Sequence, residues 1–177
     1  MSVLAIDPGP ERSAYCELCS PRLIAPPVTA ILPNESLRLA IPVLRFVPQD
    51  ILVLEMVESY GMPVGRDVFE TVYWIGRFAE RAYQAGMEVV RLSRRAVKLA
   101  LCHDSRANDA TIRQALIDLY GPGREKAIGL KRTPGPLYGV KADGWAALAV
   151  ACAYELGAER YAIAQTRGAV VMQPTQA

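Results

Sequence analysis

The sequence has no apolar run long enough to cross a bilayer. Its start also lacks the basic-then-apolar pattern of a secretory signal. These gaps predict a soluble, cytoplasmic protein with no membrane partner. Cysteine is sparse: four in 177 residues (Cys16, Cys19, Cys102, Cys152) do not make the framework of a small disulfide-stapled domain. There is one histidine, His103, and there are no internal repeats and no domain linker. What is present is a chain that is 51% hydrophobic, which excludes a disordered polypeptide. Its length predicts one domain over 1–177, with a loose tail from about residue 167.

Net charge is only +2, but it is unevenly spread. Residues 91–141 carry 11 Lys or Arg against four acids, Asp104, Asp109, Asp118 and Glu125, so the rest of the chain is acidic. A basic half can be an ordinary solvated face. It is also the electrostatic footprint of a phosphate-rich partner.

The pattern of elements is α/β. Residues 3–6 read as a buried strand, followed by strands at 13–18 and 23–31. Pro26 and Pro27 predict that the third is irregular or lies at an edge. Asn34 is placed to cap a helix reaching about Phe46, shortened or kinked by Pro42. "DILVLEM" at 50–56 is a buried strand ending in an acid. The stripe Val68, Val72, Ile75, Ala79 and Ala82 predicts an amphipathic helix over 67–85. Met87–Leu92 is a fifth strand. Ser93 starts a short helix, and Asn108 or Ser105 caps another to Tyr120. Residues 121–140, rich in glycine, proline and basic groups, read as a mobile loop, and "ADGWAALAVACAYE" reads as an interior helix.

Three acids stand out against this frame. Asp7 and Glu55 both end apolar strands, where α/β sheets commonly carry chemistry. Asp143 opens an otherwise apolar helix, where a buried charge is costly unless paired or metal-bound. Convergence of the three would require a cation, and hard oxygen ligands favour Mg²⁺ or Mn²⁺. The alternative is that Asp7 only shapes a turn with Pro8, Gly9 and Pro10, Asp143 only caps its helix, and Glu55 sits in solvent.

"LAIDPG", "LVLEMV" and "VKADGWAALAVA", in this order, resemble the RuvC-type Holliday junction resolvases of the ribonuclease H-like superfamily. "YGMPVGRDVFETVYWIGRFAE" and "SRANDATIRQALIDLYG" further resemble the RuvC-like group of phages and prophages. The likeness spans about residues 3–155. It implies a five-stranded mixed sheet, three antiparallel strands first, flanked by helices, in agreement with the element order. It also implies a Mg²⁺-dependent endodeoxyribonuclease, with Mn²⁺ as a substitute, in which Asp7, Glu55 and Asp143 bind the metal. In such chemistry one metal lowers the pKa of an attacking water and a second, about 4 Å away, stabilises the leaving oxygen.

The chain departs from this family at Ala146, where the bacterial members carry a fourth acid. Glu58, Asp104 and His103 are weak candidates to replace it. Lys141, two residues before Asp143, is placed to bind the scissile phosphate or stabilise developing charge. Lys131 and Arg132 are placed for the DNA backbone, and Tyr60 to stack on an unpaired base. A zinc site from Cys16, Cys19, Cys102 and His103 is disfavoured, because residues three apart on a strand face opposite ways. The implied partner is branched DNA, above all a four-way junction. The alternatives are flaps, other branched DNA or RNA–DNA hybrids, or a non-catalytic DNA-binding scaffold. Matched cuts on a two-fold substrate predict a homodimer, with the helix at 67–85 as its contact through Phe69, Tyr73 and Trp74.

Overall fold

Alternating runs of branched aliphatics set the architecture. The computed structural model describes residues 2–19, 26–44, 51–58, 61 and 63–158. Strands β1 (Ser2–Asp7), β2 (Arg12–Cys19) and β3 (Val28–Pro33) form an antiparallel meander. A short helix α1 (Asn34–Ala40) comes next, then β4 (Ile51–Met56), α2 (Arg66–Gln84) and β5 (Glu88–Ser93). The sheet order is β3-β2-β1-β4-β5, with β1–β4 and β4–β5 parallel. The second half adds α3 (Arg94–Cys102), α4 (Asp109–Tyr120), α5 (Arg124–Ala127), a two-stranded hairpin of β6 (Gly129–Leu130) and β7 (Thr133–Pro134), and α6 (Gly144–Glu155). This is the ribonuclease H-like α/β fold.

Strand alternation divides the interior into two cores. Leu4, Ile6, Leu52 and Leu54 join Leu37 of α1 and Ile75, Phe78 and Ala82 of α2 on one face. Val3, Ala5, Ile51 and Val53 face α3, α4 and α6 on the other. The central strands are buried on both faces, which is why β1 and β4 read as continuous apolar runs. Helix α6 is buried from Ala147 to Ala153, and its small side chains let it lie close on β1 and β2.

Several expectations are corrected. Strand β3 does lie at the edge, but it runs to Pro33 and begins after Pro26 and Pro27. Residues 23–25 lie outside the described residues, as do Phe46 and the tail beyond 167. Helix α1 ends at Ala40 and breaks into a turn around Pro42. Asn34 does not cap it, because its side chain is committed elsewhere: its Nδ2 donates to the Gly9 carbonyl (2.9 Å) and its Oδ1 accepts from Ser13 Oγ (2.7 Å). The buried stripe of α2 is Thr71, Ile75, Phe78 and Ala82, so Val72 is turned to solvent. Bulky Phe78 takes the sheet-facing position, and the stripe rotates to bury it. Residues 121–140 are not a shapeless loop. Leu137 and Ala127 are buried, and Gly135 packs so tightly that a Cβ would lie 2.4 Å from the Lys126 carbonyl oxygen. Ser93 and Asn108 do cap their helices, accepting from Ala96 N (3.2 Å) and Thr111 N (2.9 Å). No helix among the described residues is long and apolar enough to cross a membrane.

Candidate active site

Asp7 is the last residue of β1, and the chain beyond it forms a fixed turn. The Gly9 amide donates to Ser13 Oγ (3.2 Å), and Ser13 and Asn34 close the network onto the Gly9 carbonyl. A Cβ at Gly9 would meet the Arg12 carbonyl oxygen at 2.4 Å, so only glycine passes there. The turn therefore holds the strand end, and with it the Asp7 carboxylate.

The register places Glu55 beside it. Ile6 pairs with Leu54 in the parallel β1–β4 ladder, so Asp7 and Glu55 come one step later on neighbouring strands. Both share the sheet face of Val3, Ala5, Ile51 and Val53, the face covered by α3, α4 and α6. Glu55 is 8% exposed. Burial pushes its carboxyl up to about 7; Arg94 pulls it down, and Asp7 adds repulsion. Asp7 is pushed up to about 6, again chiefly by burial, with Arg94 opposing and Asp143 and Asp109 adding to the rise.

Asp143 reaches this place from α6. It occupies the N-cap position without a side-chain cap hydrogen bond, and it is exposed rather than buried. The burial expected from its apolar helix fails because the residue sits at the helix mouth, ahead of the buried turns. Its charge nevertheless acts on Asp7. Ala142, just before it, has φ of 43°, a left-handed backbone that is unfavourable for a residue with a Cβ. This bend turns the chain from the exposed Lys141 into α6.

Sequence reasoning missed two residues. Arg94, the first residue of α3, places Nη1 3.4 Å from both carboxylate oxygens of Glu55, and its Nη2 pairs with Asp109 at the start of α4. Arg94, Asp109, Asp143 and Ala146 line one cavity of about 120 Å³, so the space beside the missing fourth acid faces Asp109. A strand-end rule applied to β5 would have drawn attention to Arg94, since it comes directly after Ser93. Helices α3, α4 and α6 all begin here, and their positive dipole ends favour a bound anion such as a phosphate.

Among the described residues, the remaining candidates do not line this cavity. His103 ends α3 as its left-handed C-cap, about 13 Å along the nine-residue helix from Arg94. Asp104 engages Arg106. Glu58 is half-buried just past β4. Lys131 and Arg132 are exposed at the turn of the β6–β7 hairpin, and Tyr60 lies outside the described residues. Cys16 is buried within β2 and Cys19 is exposed at its end, so they make no zinc pair.

Among the described residues, no three His, Cys, Asp or Glu side chains are gathered closely enough to hold a metal ion alone. The donor chemistry nevertheless fits a hard divalent cation. Two neighbouring carboxylates on one sheet face are both driven toward protonation, and Arg94 supplies the positive charge between them and Asp109.

No protein-family model matches the chain, and no curated protein does. Solved structures do match. Thermus thermophilus RuvC aligns over 91% of this chain and 97% of its own, with TM-score 0.65 and 16% identity. The chain has the RuvC fold. T. thermophilus RuvC in complex with a Holliday junction substrate aligns over 94% of this chain and 98% of its own, with TM-score 0.62 and 16% identity. At this identity the likeness concerns the RuvC fold, and the chemistry must be argued from the residues.

Proposed function

We propose that the chain is a divalent-metal-dependent endonuclease of branched DNA, and that the four-way junction is its substrate. One observation carries the reading: two adjacent carboxylates, Asp7 and Glu55, are held at the ends of parallel strands in an environment that disfavours their charge. Arg94 offsets only part of the cost of that pair, and a divalent cation would offset the rest. Asp7, Glu55 and Asp143 would hold the cation. When bound, a divalent cation neutralises the scissile phosphate and lowers the pKa of an attacking water.

The chain's own groups do the rest. The fixed Asp7 turn and the β1–β4 register keep two carboxylates in place without rearrangement. Three helix N-termini and Lys141 provide positive potential for a phosphate at the cavity mouth. Lys131 and Arg132 engage the DNA backbone away from the cut. Two copies joined through α2 place two sites on a two-fold substrate. Phe69 (65% exposed) and Tyr73 (55%) favour that face.

The test is cleavage of four-way, flap, duplex and RNA–DNA hybrid substrates by the full chain with Mg²⁺ or Mn²⁺. Paired, symmetric nicks on the four-way junction are expected. Cleavage confined to flaps or hybrids would replace the substrate. Junction binding with no cleavage of any substrate would leave a DNA-binding scaffold.

A further inference from the structure

Arg94 is fixed beside the acids by register, since Leu92 of β5 pairs with Glu55 of β4 and α3 begins two residues later. Its guanidinium serves two carboxylates of opposite character. Glu55 is buried, with a side chain 11% exposed, and its oxygens are at 3.4 Å, a long contact for a charged pair. Asp109 is 86% exposed, and it holds the other nitrogen closely. The guanidinium thus bridges one carboxylate of the strand-end pair and one outside it. Arg94, Asp109 and Asp143 line the same cavity, so a cation there lies beside the guanidinium.

We propose that Arg94 is the resident counter-ion of the acidic site, displaced from Glu55 by a divalent cation and retained by Asp109. The inference rests on the metal-dependent reading of the site. A guanidinium and a divalent cation repel each other at this range, so the two compete for the Glu55 oxygens. Pivoting about the Asp109 contact surrenders only the two long contacts and moves the guanidinium to the cavity mouth, where it faces an incoming phosphate. Asp109 is therefore a positioning residue: it acts through Arg94 and needs no contact with the metal. This gives a role to the acid opposite Ala146 without making it a ligand.

The test is Mn²⁺ affinity by titration calorimetry on the full chain without DNA, with thermal melting of each variant to verify folding. Arg94→Gln should tighten Mn²⁺ about tenfold, because a competing charge is gone. Arg94→Lys should lie nearer the wild type. Asp109→Asn should weaken binding about threefold, as Arg94 then leans on Glu55 alone. In the double variant the Asp109 effect should vanish, which a direct ligand or a merely structural group would not produce. Weaker or unchanged binding in Arg94→Gln overturns the proposal, as does a persistent Asp109 effect in the double variant. Asp109 is exposed, so its arm remains readable if Arg94→Gln does not fold. A wild type that binds no Mn²⁺ would instead sink the metal-dependent reading.

Discussion

The two faces of the central sheet use the same strands for different ends. On the α1/α2 face, Leu4, Ile6, Leu52 and Leu54 meet large partners such as Phe78, and the outer surface of α2 carries Arg77 stacked 4.8 Å from the Trp74 ring centre. On the α3/α4/α6 face, Val3, Ala5, Ile51 and Val53 meet the alanines of α6, and the next residues of that register are Asp7 and Glu55. Small side chains bring α6 close to the strands, and its first turn brings Asp143 to their ends. One face is built for bulk and the other for approach. A shift of one residue in β1 or β4 would exchange them.

The largest expected effect breaks the chemical side of this contrast. Asp7→Asn, Glu55→Gln or Asp143→Asn should lower junction cleavage by about 1000-fold or more while binding survives, as measured by single-turnover cleavage and by gel shift. Retained activity in any of the three would remove that acid from the site.

Packing gives the next largest effect. Ala149→Leu in α6 should destabilise by about 1–3 kcal/mol through overpacking, whereas Val72→Leu on exposed α2 should stay within about 0.5 kcal/mol, as read by urea denaturation. Equal losses would mean that the faces do not differ in tolerance.

The acids sharpen the contrast through pH. Asp7 and Glu55 bind protons more tightly in the folded protein than in the unfolded chain. Their contribution to stability is full below about pH 4 and is lost as pH rises through about 6 to 7. Metal-free protein should therefore be less stable at pH 8 than at pH 5 by on the order of 1–3 kcal/mol, and Glu55→Gln should flatten that slope. Millimolar Mg²⁺ at pH 8 should recover the loss, seen as a rise in Tm that chelator reverses. A slope unchanged by both Glu55→Gln and Mg²⁺ would place its origin elsewhere.

The smallest effect concerns the approach of α6. Ala142→Gly relieves a left-handed residue and should raise stability by about 0.5–1 kcal/mol. A loss of stability instead would mean that the Ala142 side chain, which lines the cavity, holds that bend.

Much of this was legible in the sequence, and the failures have physical causes. Asp7 and Glu55 stand out because an acid ending an apolar strand breaks a pattern that burial enforces, and the β1–β4 register sets them side by side. Arg94 was harder to see: its place just after β5 hints at it, but its partner Glu55 is 39 residues away and only the β4–β5 register joins them. The exposure of Asp143 was misread from composition: α6 is apolar up to its last residue, Glu155, but Asp143 precedes it as the N-cap and lies outside the core. The hairpin at 129–134 was hidden by the glycines and prolines of the 121–140 segment, which mark turns without telling how tightly they pack. On α2 the periodicity was visible, and the choice between stripes depended on where Phe78 could be accommodated.

Whether the strand-end acids hold a cation is decided by a crystal structure of the chain soaked in Mn²⁺, read by anomalous scattering. A peak is expected between the Asp7 and Glu55 carboxylates, within reach of Asp143, on the α3/α4/α6 side of the sheet. An empty position there at millimolar Mn²⁺, with Arg94 still seated on Glu55, would contradict the metal-dependent reading.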